Sequence, residues 1–380
     1  MTRGAPNAGS ISRRGLNRAT LSRQLLLQRS DLSVPEVVEH LVGLQAQTPH
    51  SWYVGLWARL EEFDPHVVSA RLEARELVRL ALMRSTIHLV TAADAVTLRR
   101  HVEPVLERVV SSGPVVRGLA GLHVEEVLEA ARHVLVDRPM TLGEIGRHLA
   151  ERFPAADPTA LAHVVRAGEA LVQVTPRGTW RRSGKAAHTT IGAWLGHDAV
   201  AATPVHDIDR FVLRYLKAFG PATVRDAQNW SGLTRLGEVF DRLSDQLVVL
   251  TDTDPDAEGR QLYDLPDAPR PDADTPAPAR LLYDYDNLLR SHEDRSRVVT
   301  DVFRKRAWAP NGIPPQPLLL DGATAGSWAL TSGAPRAVLT IETFEPLDSG
   351  QEEDVTTEAL ALLDLLAADA EERDIRFVLA

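Results

Sequence analysis

The chain has 380 residues, 44% hydrophobic and 25% charged, enough for two or three packed domains. It has no cysteine, which excludes a disulfide scaffold, a cysteine nucleophile and a thiolate metal site. No run approaches the roughly 20 apolar residues of a membrane span, so a soluble cytoplasmic protein is expected, nucleoid-associated if it binds DNA.

The formal net charge of −10 argues against a nucleic-acid partner only if the charge is spread evenly. It is not. Eight carboxylates lie between Asp252 and Asp274 against Arg260 and Arg270. Basic residues gather at Arg13, Arg14, Arg18, Arg23 and Arg29, at Arg177, Arg181, Arg182 and Lys185, and from Arg290 to Arg306. Such segregation allows a basic face on an acidic protein.

In chain order, residues 1–15 are polar and read as a disordered basic arm. Residues 16–115 follow the grammar of a winged-helix unit: helices at Thr20 to Gln28, Pro35 to Val42 and Ser51 to Leu60, then strands at Arg79 to Leu82 and Thr86 to Val90. Ser33 caps the second helix and Gly43 ends it.

Residues 116–203 and 204–270 form two further units, tied by an internal repeat. Pro139-Met140-Thr141-Leu142-Gly143-Glu144-Ile145 matches Pro221-Ala222-Thr223-Val224-Arg225-Asp226-Ala227. In both, threonine is an N-cap and the acid three residues on completes a capping box. The second unit has helices at Val124 to Leu135 and Pro158 to Ala170, then a hairpin from Leu171-Val172-Gln173-Val174 through Pro176-Arg177-Gly178 to Thr179-Trp180-Arg181. The third has helices at Ile208 to Ala218 and Glu238 to Leu243 and a hairpin of Leu247 to Thr251 with Arg260 to Tyr263. Three helices and a β-wing is the order of a winged helix.

Residues 271–380 read as a C-terminal α/β domain, partly barrel-like. Its strands are expected at Leu318 to Leu320, Ser327 to Leu330, Ala337 to Ile341 and Ile375 to Leu379, with a helix from Thr357 to Ala368. The fold class is therefore α+β: three tandem winged helix-turn-helix units and this last domain.

Gln45 and Gln47 follow Gly43, between the second and third helices. Residues i and i+2 of an extended segment share a side, so the two carboxamides can address one atom while Ala46 turns away. A carboxamide takes no proton at neutral pH but can hold a water through its donors and acceptor. That suits a reaction whose leaving group is already activated, such as hydrolysis of an N-alkylated, cationic purine from its sugar. Capping of the next helix and binding of DNA backbone are the plainer readings of the same pair.

Several phrases resemble the AlkZ-type DNA glycosylases over nearly the whole chain: Leu16-Asn17-Arg18-Ala19-Thr20, Gly43-Leu44-Gln45-Ala46-Gln47, Met83-Arg84-Ser85-Thr86-Ile87-His88-Leu89-Val90, Pro176-Arg177-Gly178-Thr179-Trp180, Tyr285-Asp286-Asn287-Leu288-Leu289-Arg290-Ser291-His292 and Leu320-Asp321-Gly322. The resemblance implies a bacterial tandem winged-helix enzyme that removes bulky N-alkylated purines and can unhook interstrand crosslinks, with a role in self-resistance to a genotoxin among the expectations. It implies a catalytic Gln-x-Gln role for Gln45 and Gln47. Ser85 departs from the pattern, where glycine is expected.

Arg84, Thr86 and His88 alternate near the glutamines and suit phosphate contact. Arg177 and Gly178 at a wing tip, with Arg181, Arg182 and Lys185, suit backbone clamping. Asn287, Arg290, His292, Arg295 and Arg297 are candidates to approach the damaged strand. Trp180 reads as core. No cofactor and no metal is expected, the partner is duplex DNA, and the protein is expected to act as a monomer with an open cleft.

The rival reading is a winged-helix regulator without glycosylase activity. It would need a recognition helix rich in base-reading side chains, and Ser51-Trp52-Tyr53-Val54-Gly55-Leu56-Trp57 is apolar and aromatic instead.

Overall fold

The computed structural model describes residues 5–111, 113–204, 207–257, 259–306, 314–333 and 335–380. Its local signals are the ones written in the caps. Ser33 and Glu36 form a capping box at the helix Val34–His40, Thr141 and Glu144 at Leu142–Arg152, and Thr223 and Asp226 at Val224–Ser231. Gly43 turns the chain out of the first of these with φ +90°, and a side chain there would stand 2.6 Å from Val90, so glycine is required for both reasons.

One six-stranded sheet organises the first half. Its order is Leu44–Gln45, Ile87–Thr91, Leu77–Ala81, Leu171–Gln173, Ala187–Thr190 and Met140–Thr141, antiparallel throughout. Strands from residues 16–115 and from residues 116–203 thus share one hydrogen-bonded ladder, joined where Arg79 faces Gln173.

Three expectations are corrected. Residues 7–11 of the supposed disordered arm form a strand, Asn7–Ile11, parallel to Val248–Asp252; residues 1–4 lie outside the described residues. The following helix is Arg13–Arg23, starting ahead of the expected Thr20, because Ser12 caps it by accepting from the Gly15 amide. In the second unit the return strand is Ala187–Thr190, not Thr179 to Arg181. Gly178 (φ +93°) and Arg181 (φ +54°) are left-handed, which curls that stretch into a compact loop that cannot extend along a ladder.

The C-terminal unit is an open sheet and not a partly closed barrel. Its order is Arg280–Leu281, Gln316–Leu320, Ala323–Gly333, Arg336–Thr343 and Glu372–Leu379, and the two outer strands do not meet. The helix Ser349–Leu366 makes the crossover to the final, parallel strand, as a parallel connection requires.

One hydrophobic core runs through all these parts, from Leu44, Trp52 and Leu80 through Leu161 and Phe219 to Leu281, Leu339 and Leu362. Buried ion pairs cross it. Arg23 and Asp264, both fully buried, pair at 2.7 and 2.9 Å, and Arg59 and Asp286 at 2.8 and 2.8 Å. The N-terminal arginines are therefore paired within the chain, Arg18 and Arg23 in its interior and Arg13 and Arg14 at the surface: Arg13 pairs with Asp254, Arg14 and Arg18 with Asp321, and Arg18 Nε also donates to the Thr275 carbonyl at 2.6 Å. No helix among the described residues is long and apolar enough to cross a membrane.

Candidate active site

Gln45 lies on the short strand Leu44–Gln45, opposite His88 of the strand Ile87–Thr91. Directly opposed residues of an antiparallel pair project to the same face, so Gln45 and His88 are neighbours and Gln47 follows on that side. Gln45 is buried and Gln47 exposed.

Both carboxamides are oriented by fixed donors. Arg84 Nη2 donates to Gln45 Oε1 at 3.0 Å, and the backbone amide of Ile87 donates to Gln47 Oε1 at 3.2 Å. A guanidinium and an amide N–H can only donate, so the oxygen of each side chain must face them, and the NH2 groups are turned the other way. Each oxygen keeps a second lone pair for an incoming hydrogen.

Arg84 stands at a bend where both it (φ +54°) and Ser85 (φ +60°) are left-handed. Such backbone costs about 1–3 kcal/mol per residue and persists only when neighbours impose it. Here Arg166 does so, donating to the Ser85 carbonyl at 2.9 Å and its hydroxyl at 3.3 Å, while Arg84 Nη1 donates to the Trp230 carbonyl. The left-handed φ of Ser85 also accounts for the glycine expected there.

His88 is buried and its Nδ1 is 2.9 Å from the Thr86 carbonyl. A carbonyl accepts only, so Nδ1 carries the hydrogen and Nε2 a lone pair. Burial, with the Arg84 charge as a second cause, lowers its pKa to about 3; the ring is neutral. Thr86 donates its hydroxyl to the Met83 carbonyl at 3.0 Å.

Beneath the glutamines lies a residue that sequence reasoning missed. Arg79, 2% exposed, donates from Nη2 to the carbonyl of Ala46 at 2.9 Å. No carboxylate pairs with it among the described residues, and its Nε and Nη1 have no hydrogen-bond partner there. Burial, then repulsion from Arg177, lowers its pKa to about 10, which leaves it charged at neutral pH. Its signal in the sequence was a lone arginine inside Leu77-Val78-Arg79-Leu80-Ala81. Gly178 covers it: a side chain there would meet Arg79 Nη1 at 2.6 Å. Gly178 is accordingly buried, its carbonyl accepting from Tyr53 at 2.9 Å, and is no exposed wing tip.

The other candidates divide by burial. Arg181, Arg182 and Lys185 are exposed and pair with Asp369, Glu73 and Glu144 respectively. Arg177 is half-buried and donates within its own loop to the Gly184 carbonyl at 2.9 Å. Arg290 and Arg295 are half-buried, Arg290 near enough to Arg84 to depress its pKa after burial has done most of that.

Asn287, His292 and Arg297 are interior. Asn287 donates to the Gly43 carbonyl at 3.0 Å, His292 Nε2 to that of Phe219 at 2.9 Å, and Arg297 to that of Pro221 at 2.9 Å. Asn287 braces the turn before the glutamine strand, while His292 and Arg297 tie to the end of the helix Ile208–Phe219 and the chain just after it, so the expectation that these three approach DNA gives way to an internal role. Nearby, Thr48 donates to Asp284 at 2.6 Å, a contact from the C-terminal unit that sequence reasoning also missed.

A pair of oriented, uncharged carboxamides on a sheet edge can hold a reactant by hydrogen bonds but cannot take its proton at neutral pH. The comparisons with known proteins agree with a hydrolytic class. The model of a family described as DNA glycosylase AlkZ-like matches residues 38–365. An interstrand DNA cross-link repair glycosylase from Streptomyces sahachiroi is 25% identical over 340 residues, 82% of this chain and 85% of that one. The solved structure of the Streptomyces sahachiroi DNA glycosylase AlkZ superposes with a TM-score of 0.77 at 20% identity, covering 97% of this chain and 100% of that one.

The chain belongs to the AlkZ-like DNA glycosylase family. It is an enzyme, a hydrolase acting on N-glycosyl bonds.

Proposed function

We propose that the protein is a monofunctional glycosylase that releases N-alkylated purines, bulky N7-alkylguanines and crosslinked purines included, from duplex DNA. The observation that carries this reading is the fixing of both carboxamide oxygens, by Arg84 and by the Ile87 amide. A water held between Gln45 and Gln47 attacks C1′ of the sugar. The bond pair leaves with the cationic base, which departs neutral, and the water's second proton passes to solvent. Neither glutamine needs to become charged, and preorganised dipoles need no rearrangement as positive charge develops on the sugar.

In this reading the three-helix-and-hairpin units act as tandem winged helices, divided at residues 16–115, 116–203 and 204–270. Arg182, Lys185, Arg290 and Arg295 supply the phosphate contacts, Arg181 joins them when it leaves Asp369, and the monomer suffices for the footprint. The name of the Streptomyces sahachiroi relative supports crosslinked DNA as a substrate.

Abasic-site formation on duplex DNA with a single N7-alkylguanine tests the reading. Strand breakage after mild alkali, abolished in a Gln45→Ala, Gln47→Ala double variant that still binds DNA, is the expected result. Unchanged breakage in that variant removes the glutamines from the mechanism.

A further inference from the structure

The surroundings of the glutamine strand are rich in positive charge. Arg84 donates to Gln45, Arg79 donates to the Ala46 carbonyl, and Arg290 is close enough to Arg84 to oppose its charge. An N-alkylated purine is itself a cation, and the sugar gains positive charge as the bond between them breaks. Left to these three arginines, the site would repel what it has to hold, so a negative group is required close by.

One is built against the same segment. The chain doubles back over residues 283–286, where the Asp286 amide donates to the Tyr283 carbonyl at 3.2 Å, and Asp284 and Tyr285 form the corner of the turn. The turn is fastened at both ends. Tyr283 is fully buried against Gly55, where a side chain would meet its ring at 2.6 Å, and Asp286 is locked to Arg59. Asp284 accepts from Thr48 and Asn287 donates to the Gly43 carbonyl, so two bonds from this stretch bracket Gln45 and Gln47.

Asp284 is 5% exposed. Its Oδ1 accepts from the Tyr285 amide at 3.1 Å and its Oδ2 from the Thr48 hydroxyl at 2.6 Å, and no arginine, lysine or histidine pairs with it among the described residues. Burying a carboxylate without a counter-ion is costly, and a cationic substrate supplies the missing partner. Through one peptide step and the bond to Thr48, the carboxylate stands no more than about 9 Å from the Gln47 Cα.

We propose that Asp284 supplies the negative charge that stabilises the cationic base and sugar during hydrolysis, acting through space and taking no proton. The inference rests on the reading of Gln45 and Gln47 as the hydrolytic pair. The two carboxamides orient the water, and the C-terminal unit contributes the field.

The test compares the full chain with Asp284→Asn, which keeps the shape and an acceptor for Thr48 but removes the charge. Two duplexes read the field without catalysis. One carries a pyrrolidine abasic nucleotide, whose protonated ring nitrogen stands in for the cationic sugar, and the other its neutral tetrahydrofuran counterpart. By fluorescence anisotropy the native protein is expected to prefer the pyrrolidine duplex, and Asp284→Asn to reduce that preference about 10- to 30-fold, the effect of one charge across about 8–12 Å at an effective dielectric constant of about 20. Affinity for the tetrahydrofuran duplex should change less than about 3-fold, and Asp284→Glu should restore the preference. Equal weakening on both duplexes marks a structural role and overturns the proposal, as does an unchanged preference. Asp284→Ser gives the same comparison should the amide prevent folding. Single-turnover release of an N7-alkylguanine separates the two readings. Release at the native rate by Asp284→Asn overturns the role of Asp284 alone, whereas no release by the native protein overturns the hydrolytic reading and the role of Asp284 with it.

Discussion

Arg84 holds Gln45 by a charge-assisted hydrogen bond of 3.0 Å, and is itself anchored on the carbonyl of Trp230, 146 residues away in sequence. A buried carboxamide is thus aimed by a residue whose own position depends on the third unit. Replacing Arg84 by methionine keeps much of the volume and removes the donor. Single-turnover release of base is expected to slow on the order of 100-fold, the scale of misplacing a reacting group by about 1 Å, with DNA affinity within a factor of about 3. Quenched-flow kinetics beside fluorescence anisotropy separates the two quantities; a matching reduction in both would assign Arg84 to DNA binding.

Gly178 and Arg79 offer a second test. Gly178→Ala places a methyl group 2.6 Å from a buried guanidinium at φ +93°, and is expected to destabilise the protein by about 1–3 kcal/mol. Arg79→Met clears that clash, so the double variant should be more stable than the sum of the two single effects predicts. Urea denaturation of the four proteins gives the coupling, and strict additivity would refute the steric account.

The buried pair Arg59–Asp286 clamps the segment after Tyr283 against the helix Ser51–Trp57. Removing one partner leaves a charge in the core, so Asp286→Ala should cost about 3–5 kcal/mol, read as a lower urea midpoint. Conversion of the pair to a matched apolar pair should cost much less.

Acid should destabilise the fold through its histidines. Burial lowers the pKa of His88 to about 3, and of His188 and His292 to about 4. In the unfolded chain these rings take a proton near pH 6.5. Their contribution is therefore complete above pH 6.5 and falls as pH drops toward 4, by about 1.4 kcal/mol per pH unit for each ring that resists protonation. His88→Gln should flatten the stability profile in that window. The carboxamides do not titrate, so single-turnover base release should stay level from about pH 6 to 9. A steep limb within that range would indicate a titrating base in the step.

Salt dependence locates the DNA surface. A side chain that neutralises one phosphate contributes about 0.9 to the slope of log K against log salt. Arg182→Ala and Lys185→Ala should each make the slope shallower by that amount and leave base release from bound DNA intact.

What could be read from the sequence was local. The capping boxes at Ser33, Thr141 and Thr223 needed only residues three apart, and the third unit's hairpin, Val248–Asp252 with Gln261–Asp264, emerged close to its expected place. The family was legible because its phrases recur in order. What escaped depended on distant partners. Arg13, Arg14 and Arg23 looked like a basic face because their carboxylates lie 241 or more residues away. The strand Asn7–Ile11 was unreadable for the same reason, since it pairs with Val248–Asp252, far along the chain. Arg79 was visible as an anomaly in an apolar strand, but its contact with Ala46 needed the folded backbone. Gln45 and Gln47 were identified as a pair, yet the donors that set their orientation, Arg84 and the Ile87 amide, came only with the sheet.

The shared six-stranded ladder also works as a gauge. With Arg79 fixed opposite Gln173, the interval between the glutamine strand and the basic loop of residues 177–185 is set by strand spacing, about 4.8 Å per step. Neither unit can swing without breaking backbone pairing. When a distorted lesion meets this surface, the compliance has to come from the helix of the nucleic acid, and sequences that kink easily around the damaged base should be processed fastest.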